Sequence, residues 1–286
     1  MSSYLVFGAS GAVGEFLLPR LAARGGHILA VSRAASARGR GATSVEWLRG
    51  DLFGEVPPLP PVDVVLSLGP LDAFAAWHAR TAPARRVIAL GSMSAQSKRD
   101  SVDAAERELS ERLRGAEALL MRSAHERGAD CTIFRPTLIY GSGRDRSLAP
   151  IARFARRWRV LPVPRGASGL RQPVHAADLA AACLAAIGNE STFGKVYELG
   201  GGERLRFDAM LARIAAGPPR IALALPVPLA LVRAGAGLFR VGAGALARLD
   251  SPLVADNAAA VRDFGYAPRA FCAADVLGSA NSSIPG

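Results

Sequence analysis

The sequence predicts an α/β fold: a doubly wound parallel sheet with a small C-terminal substrate lobe. Three observations lead there. A short apolar run, Tyr4–Phe7, ends in Gly8, and glycine returns at Gly11 and Gly14 before Leu17, Leu18, Leu21 and Ala22 continue at helical spacing. Apolar strand-like segments then alternate with helical ones as far as Phe134. After Gly143 that rhythm changes, which marks the second lobe.

The first segment sets the chemistry. Gly8 permits a tight turn, Gly11 lets backbone N–H groups approach a pyrophosphate, and Gly14 lets the helix pack close to the strand. The helix N-terminus then offers unpaired donors and the positive end of its dipole to phosphates. Strand, glycine turn and helix in this order make the fold Rossmann-like. They make Gly8, Ser10, Gly11, Ala12, Val13 and Gly14 cofactor-binding candidates. His27–Ser32 is a second strand, and Ser32 and Arg33 close it. An acidic residue at that point usually holds the adenosine ribose, whereas arginine suits a 2′-phosphate. NADP(H) is therefore the preferred cofactor and NAD(H) the alternative. Arg38 and Arg40 lie just beyond.

Further along, Val45–Leu48 reads as a third strand ending at Gly50-Asp51-Leu52, and Val56–Pro61 as a loop. Val62–Leu68 is nearly all apolar, as a strand buried on both faces should be. Leu71–Arg80 reads as a helix and Arg86–Leu90 as a strand ending at Gly91-Ser92-Met93-Ser94. A long helix covers about Val102–Arg127, with Leu109, Leu113, Ala116 and Leu120 on its apolar face and Glu and Arg opposite. Cys131–Phe134 is the sixth strand. In the lobe, Leu148–Trp158 is a short basic helix and Leu170–Val174 a strand. Ala176–Ile187 is a helix, Val196–Leu199 a strand, and Phe207–Ala215 and Val254–Phe264 are helices. The expected division is 1–145 for the dinucleotide-binding part, 146–277 for a lobe interleaved with it, and 278–286 for a disordered tail.

Composition narrows the class. The chain has 286 residues, half of them hydrophobic, enough for a sizeable core. Met1-Ser2-Ser3 runs straight into the first strand, so no signal peptide is expected, and no stretch of about 20 apolar residues marks a transmembrane helix. Cys131, Cys183 and Cys272 are scattered, which fits reduced thiols, a cytoplasmic location and no metal site. The net charge of +11 is nearly all arginine, with Lys98 and Lys195 the only lysines. The arginines are dispersed and no nucleic-acid motif accompanies them, so nucleic acid is not an expected partner.

Several motifs occur together: Gly8-x-x-Gly11-x-x-Gly14, Gly50-Asp51-Leu52, Arg135-Pro136-x-x-x-Tyr140-Gly141, Arg171-x-x-x-His175-x-x-Asp178-Leu179-Ala180 and Phe264-Gly265-Tyr266-x-Pro268. In this order, over about residues 4–270, they resemble the extended short-chain dehydrogenase/reductase superfamily, and within it the NAD-dependent epimerase/dehydratase family. The resemblance implies that Asp51 and Leu52 contact the adenine, and that Ser67 to Pro70 (Leu68, Gly69 and Pro70 among them) pass near the cofactor phosphates and ribose. It also places Ser92 and Pro136 beside the cofactor, Pro136 against the nicotinamide. Arg135, Tyr140, Arg171 and Arg248 become substrate-binding candidates, Arg171 as the arginine that often holds the diphosphate of a nucleotide sugar.

One departure stands out. The family's acid/base chemistry uses Tyr-x-x-x-Lys on the long helix, one turn apart on one face, where the lysine lowers the tyrosine pKa. Here the tyrosines are Tyr4, Tyr140, Tyr197 and Tyr266, none followed by lysine four residues on. Leu109 and Leu113 fall at the dyad positions, which makes the active site atypical. Ser92, Ser94, Tyr140 and His175 are the substitute catalytic candidates. The plainer reading of His175 is a structural histidine, while His27, His78 and His125 read as surface residues. Two functions follow. The first is an NAD(P)-dependent oxidoreductase or epimerase/dehydratase-like enzyme acting on a small carbonyl or hydroxyl substrate, such as a nucleotide sugar. The second is a non-catalytic NADP(H)-binding redox sensor or assembly factor. Residues 228–249 add a further expectation. Arg233, Arg240 and Arg248 fall within an arc of about 80° on a helix, the pattern of peripheral association with an anionic membrane. A homodimer is the alternative use of that apolar stretch.

Overall fold

In the computed structural model the described residues are 2–33, 44–81, 84–217, 222–231 and 249–278. Seven parallel strands form the central sheet: β1 (Ser3–Phe7), β2 (His27–Ser32), β3 (Val45–Arg49), β4 (Val62–Ser67), β5 (Ala84–Leu90), β6 (Asp130–Pro136) and β11 (Lys195–Leu199). Their spatial order is β11-β6-β5-β4-β1-β2-β3. The chain thus starts in the middle, winds outward to β3, then returns through β4. Tyr4 faces Ile28 on one side and Val64 on the other, which sets the register about the first strand. The crevice at the carboxyl ends of β1 and β4 is the topological switch point, where open α/β sheets bind ligands.

Helices cover both faces of the sheet. On one face α1 (Ala12–Ala23) packs on α6 (Ala176–Ala186), over a core that includes Val6, Leu17, Leu21, Leu66 and Phe134. Pro19 lies inside α1 and forfeits a backbone bond, a loss of about 3 kcal/mol in an isolated helix. Leu17 and Leu21 are fully buried and offset it at roughly 1.5–3 kcal/mol each. On the other face α2 (Leu71–Thr81) packs on α4 (Ala104–Glu126), over Leu5, Phe7, Val65, Phe74 and Leu120.

Three readings of the sequence are corrected on this frame. The sheet gains a seventh strand, because β11 pairs in parallel with β6, Val196 opposite Ile133, although it lies in the stretch assigned to the lobe. His78 is a core residue, fully buried, with Nδ1 3.0 Å from Ser123 Oγ; it sits in the last turn of α2, on the side that faces α4. The apolar face of α4 is only partly the expected one: Ala116 and Leu120 are buried as expected. Glu106, Ser110 and Glu117 are buried, while Leu109 and Leu113 are only half-buried. Each buried polar group has a partner: Glu106 with Ser101 Oγ, Ser110 with the Ala95 carbonyl, Glu117 with Arg135.

A third core lies beyond β6. It joins β7 (Ile139–Tyr140), α5 (Leu148–Trp158), β8 (Val160–Arg165) and α7 (Phe207–Ala216) through Tyr140, Leu148, Ala152, Leu161, Met210 and Ile214. β8 pairs in parallel with β13 (Leu223–Pro228), a pair absent from the sequence reading. Both strands carry prolines (VLPVPR and LALPVP), which argue against a central strand but are tolerated in a two-stranded edge pair. The expected strand Leu170–Val174 is instead two short pairings: β9 (Leu170–Arg171) with β12 (Leu205–Arg206), and β10 (Val174–His175) with β7. The last helix, α8, begins at Ala258 and ends at Phe264.

Candidate functional site

The glycine turn sits at the switch point. Gly8 adopts φ +70, and a Cβ there would lie 2.8 Å from the Leu68 carbonyl carbon and 2.9 Å from Gly69 N. Any side chain would push the turn off the loop that follows β4. At Gly14 a Cβ would come within 2.1 Å of the Ala9 oxygen, so α1 can lie this close to the turn only with glycine. Gly11 differs. Its nearest neighbour would be Gly8 O at 3.1 Å, and it caps α1 with no side-chain hydrogen bond. The first N–H groups of α1 thus have no side-chain cap, at the end of the helix that favours an anion.

This turn forms the floor of a cleft of about 700 Å³. Gly8, Ser10 and Gly11 line it with Ser32 and Arg33 from the end of β2, Asp51 and Leu52 from the loop after β3, and Leu68, Gly69 and Pro70 from the loop after β4. Ten of the cofactor-binding candidates therefore share one cleft. Ala12, Val13 and Gly14 belong to the first turn of α1 beneath it. Ser32 Oγ donates to Ser10 Oγ at 3.1 Å, tying β2 to the glycine turn. Asp51 Oδ1 accepts from Phe53 N, and Asp51 N donates to Glu55 O, so the carboxylate sits in a folded turn. Three lining arginines, Arg33, Arg144 and Arg146, stand against the single lining carboxylate of Asp51. The net positive lining suits a phosphorylated ligand. Together, the cradle that a Cβ would fill, the uncapped helix start and this donor set fit a dinucleotide.

At the ends of β5 and β6 the remaining candidates meet. Met93 N donates to the Pro136 carbonyl at 3.0 Å, which brings the Ser92–Ser94 turn against Pro136. Ser92 and Ser94 are half-buried, and Ser94 N donates to Ser92 Oγ. Glu117 on α4 reaches the end of β5, where a Cβ on Gly91 would lie 3.3 Å from its Oε1. One turn earlier on α4 stands Leu113, and two turns earlier Leu109. Neither can donate or accept a proton.

Four candidates are engaged by other residues of the chain. Tyr140 is fully buried. Its hydroxyl accepts from Cys272 N at 3.1 Å, and its ring lies edge-on to His175 and Phe271. Burial pushes the phenol up to about 12, away from the range of a useful acid/base. His175 is 4% exposed and caps α6, its Nδ1 accepting from Ala177 N at 3.0 Å. Desolvation lowers its pKa below the ordinary value, while Nε2 lies 3.8 Å from Asp275 Oδ2. Arg135, read as a substrate ligand, is bound by Glu117. Arg171 is 6% exposed, donates to the Leu170 and Ser251 carbonyls, and lies 5.0 Å over the Phe207 ring. These contacts tie it to other parts of the lobe. Arg248 lies outside the described residues, as do Arg38, Arg40, most of the 228–249 segment and residues 279–286 of the expected tail.

The sequence reading weighs Arg144 only as a stand-in for the family's lysine, four residues after Tyr140, and does not single out Arg146. Arg144 Nη1 lies 3.2 Å from Glu15 Oε2 and 3.5 Å from the Ser10 carbonyl, which brings the loop before α5 to the glycine turn. The signal was available as Arg144-Asp145-Arg146, three charged residues of alternating sign between a glycine loop and a helix start.

A family model described as NAD dependent epimerase/dehydratase family matches residues 67–200. NADH dehydrogenase (ubiquinone) 1 alpha subcomplex subunit 9, mitochondrial, of Arabidopsis thaliana is 30% identical over 226 residues, 68% of this chain and 53% of that protein. The chain thus spans about half the length of that relative. Epimerase Mth375 of Methanothermobacter thermautotrophicus superposes with a TM-score of 0.70 at 14% identity, over 96% of this chain and 90% of that one. MoeE5, solved in complex with UDP-glucuronic acid and NAD, gives 0.69 at 19% identity over 96% of both chains. A UDP-galactose 4-epimerase gives 0.70 at 16% identity, again over 96% of both. At such identities the likeness is one of fold.

Proposed function

We propose that the chain, as a member of the NAD dependent epimerase/dehydratase family whose model matches residues 67–200, binds NADP(H) chiefly as a structural or redox-sensing ligand. The observation that carries this reading is the pairing of an intact cleft with an absent proton relay. The cleft offers the N–H groups of α1 to a pyrophosphate and Arg33 to a 2′-phosphate. The resemblance, with Ala116-Glu117 taken as the Ala-Glu that follows the pair, puts the family's tyrosine and lysine at Leu109 and Leu113, and the two alternative acid/bases, Tyr140 and His175, are buried and hydrogen-bonded. A bound nicotinamide supplies a hydride donor or acceptor. The chain's own part is to bind and orient it, with Pro136 and the Ser92–Ser94 turn at that end. Moving a proton to a substrate oxygen needs a group that Leu109 and Leu113 lack. The relative named above is by its name a subunit of an NADH dehydrogenase, which accords with a binding role inside a larger assembly.

An enzymatic reading, with a small carbonyl compound or nucleotide sugar as substrate, ranks second here, although the sequence had put it first. Ser92 and Ser94, half-buried beside Pro136, favour it. Turnover separates the two. NADPH is mixed with a panel of carbonyl compounds and nucleotide sugars and followed by absorbance. The binding reading expects rates at least a hundredfold below a typical turnover of about 10 per second. Rapid conversion abolished by Ser92→Ala or Ser94→Ala would install the enzymatic reading instead.

Peripheral attachment to an anionic membrane belongs to the same proposal. No helix among the described residues is long and apolar enough to cross a membrane. On α5, however, Phe154 and Trp158 are exposed among Arg153, Arg156 and Arg157, with exposed Leu223 and Leu225 on β13. Leu223 N donates to Arg159 O just past Trp158, so the apolar surface continues from helix to strand. Aromatic and basic side chains together suit an interfacial surface. Homodimerisation through the same face is the alternative.

A further inference from the structure

The cleft described above has a wall from outside the βαβ unit. Arg144 and Arg146 line it together with Gly8 and Gly11. The backbone that presents them is held from several sides. Asp145, between them, is 8% exposed and turns the other way: its Oδ1 accepts from Ser147 N at 3.0 Å, Leu148 N at 2.6 Å and Ala149 N at 3.0 Å, capping α5. Arg144 N donates to Ser142 Oγ at 3.2 Å. Gly143 has φ +66 and abuts the turn at 273–277, where a Cβ would lie 2.3 Å from the Leu277 oxygen. One carboxylate anchored in the lobe thus leaves the arginines on either side of it facing the cleft.

We propose that Arg144 and Arg146 form a clamp for the diphosphate of the dinucleotide, with Glu15 as the counter-ion that holds Arg144 in place until the phosphates arrive. The proposal rests on the dinucleotide reading and adds to it a pair of ligands from the far side of the cleft. The Arg144–Glu15 contact is 3.2 Å long and half exposed, with side-chain exposures of 46% and 30%. Glu15 Oε2 is itself buried and takes no hydrogen bond across this contact, so the pair holds Arg144 by charge alone and yields to a ligand that accepts its N–H groups. A diphosphate offers more charge and accepts paired N–H donors from a guanidinium, the geometry arginine binds best. The uncapped start of α1 would hold the same diphosphate from below. The dinucleotide would then be gripped between the first helix and the loop that caps α5, so occupancy ties the lobe to the sheet.

Equilibrium titration tests the clamp. Dissociation constants for NADPH, NADH and ADP-ribose are measured on wild type, Arg144→Gln, Arg146→Gln and Glu15→Gln, at two salt concentrations. Each arginine variant is expected to weaken all three ligands alike, about tenfold, and to flatten the salt dependence. Arg144→Lys, which keeps the charge and loses the fork, should fall between Arg144→Gln and wild type. Glu15→Gln should tighten binding, a change of sign that damage to the fold would not produce. Thermal midpoints identify any variant that fails to fold, and for Arg144 the lysine variant then carries the test. Arginine variants that bind all three ligands as wild type does, while wild type itself binds, overturn the clamp and leave the dinucleotide site standing. Weaker binding by Glu15→Gln overturns the counter-ion role. A wild type that binds none of the three overturns both the clamp and the reading beneath it.

Discussion

Arg135 donates from Nε to Glu117 Oε1 at 2.8 Å and from Nη2 to the other carboxylate oxygen, which ties the end of β6 to the middle of α4. Both side chains are largely buried, 16% and 7% exposed. The hydrogen bond to Glu117 raises the Arg135 pKa further above its ordinary value. Removing one partner leaves a charge without its counter-ion, a loss of about 3–5 kcal/mol. Glu117→Ala is therefore expected to lower the unfolding free energy in urea by that amount. Replacing both partners with leucine and methionine should cost much less, because no orphan charge is left. Equal losses from the single and double changes would show that the pair is not acting as a unit.

His78 gives a pH signature. Burial holds its pKa down from 6.5 to about 4. Between those values the unfolded chain takes up the proton and the folded protein does not, so stability falls as pH drops from 6.5 toward 4. The slope reaches about 1.4 kcal/mol per pH unit, roughly 3 kcal/mol in all. Urea unfolding at pH 7 and at pH 4.5 measures it. His78→Gln, which does not titrate, should remove the share that His78 contributes and leave that of His175, whose pKa burial also lowers.

The contrast between His78 and the strands shows where the sequence was legible. β1, β2 and β4 are continuous apolar runs bounded by turns, and their limits were readable to within a residue because burial on both faces leaves one kind of side chain. The glycine turn was legible for a related reason: its glycines meet backbone that no side chain can displace. Long-range pairing was not legible. The charge of Arg135 and Arg171 reads as that of ligands, while their contacts with Glu117 and the Ser251 carbonyl come from distant parts of the chain and leave no local signal. Tyr140 fits a family motif, and its burial by Phe271 from the far end of the chain has no local signal. β8 and β13 hid behind their prolines.

The proposed NADP(H) preference rests on Arg33, which is exposed just past the end of β2 and lines the cleft. Charge-assisted bonds to a 2′-phosphate are worth about 1.5–3 kcal/mol, roughly ten- to hundredfold in affinity. Arg33→Ala should lose that factor for NADPH and little for NADH. Equal affinities for the two cofactors in wild type would remove the NADP(H) preference.

The exposed face of α5 can be tested with vesicles. Binding to liposomes containing anionic lipid is expected at low salt and should weaken at high salt. Changing Arg156 and Arg157 to glutamate should abolish it, and Trp158→Ala should weaken it at both salt levels. Co-sedimentation unaffected by any of these changes would exclude this face. A concentration-dependent dimer disrupted by Trp158→Ala would assign it to self-association.

The central claim is that the glycine cleft is a dinucleotide site, and titration of NADPH into wild type and Gly11→Val tests it most directly. A Cβ at Gly11 meets only the Gly8 oxygen, at 3.1 Å, so the valine leaves the fold near intact while its side chain occupies the place of the phosphates. The account predicts saturable binding by wild type and none by Gly11→Val, with both proteins folded. Failure of wild type to bind, or binding by Gly11→Val at the wild-type affinity, would contradict it.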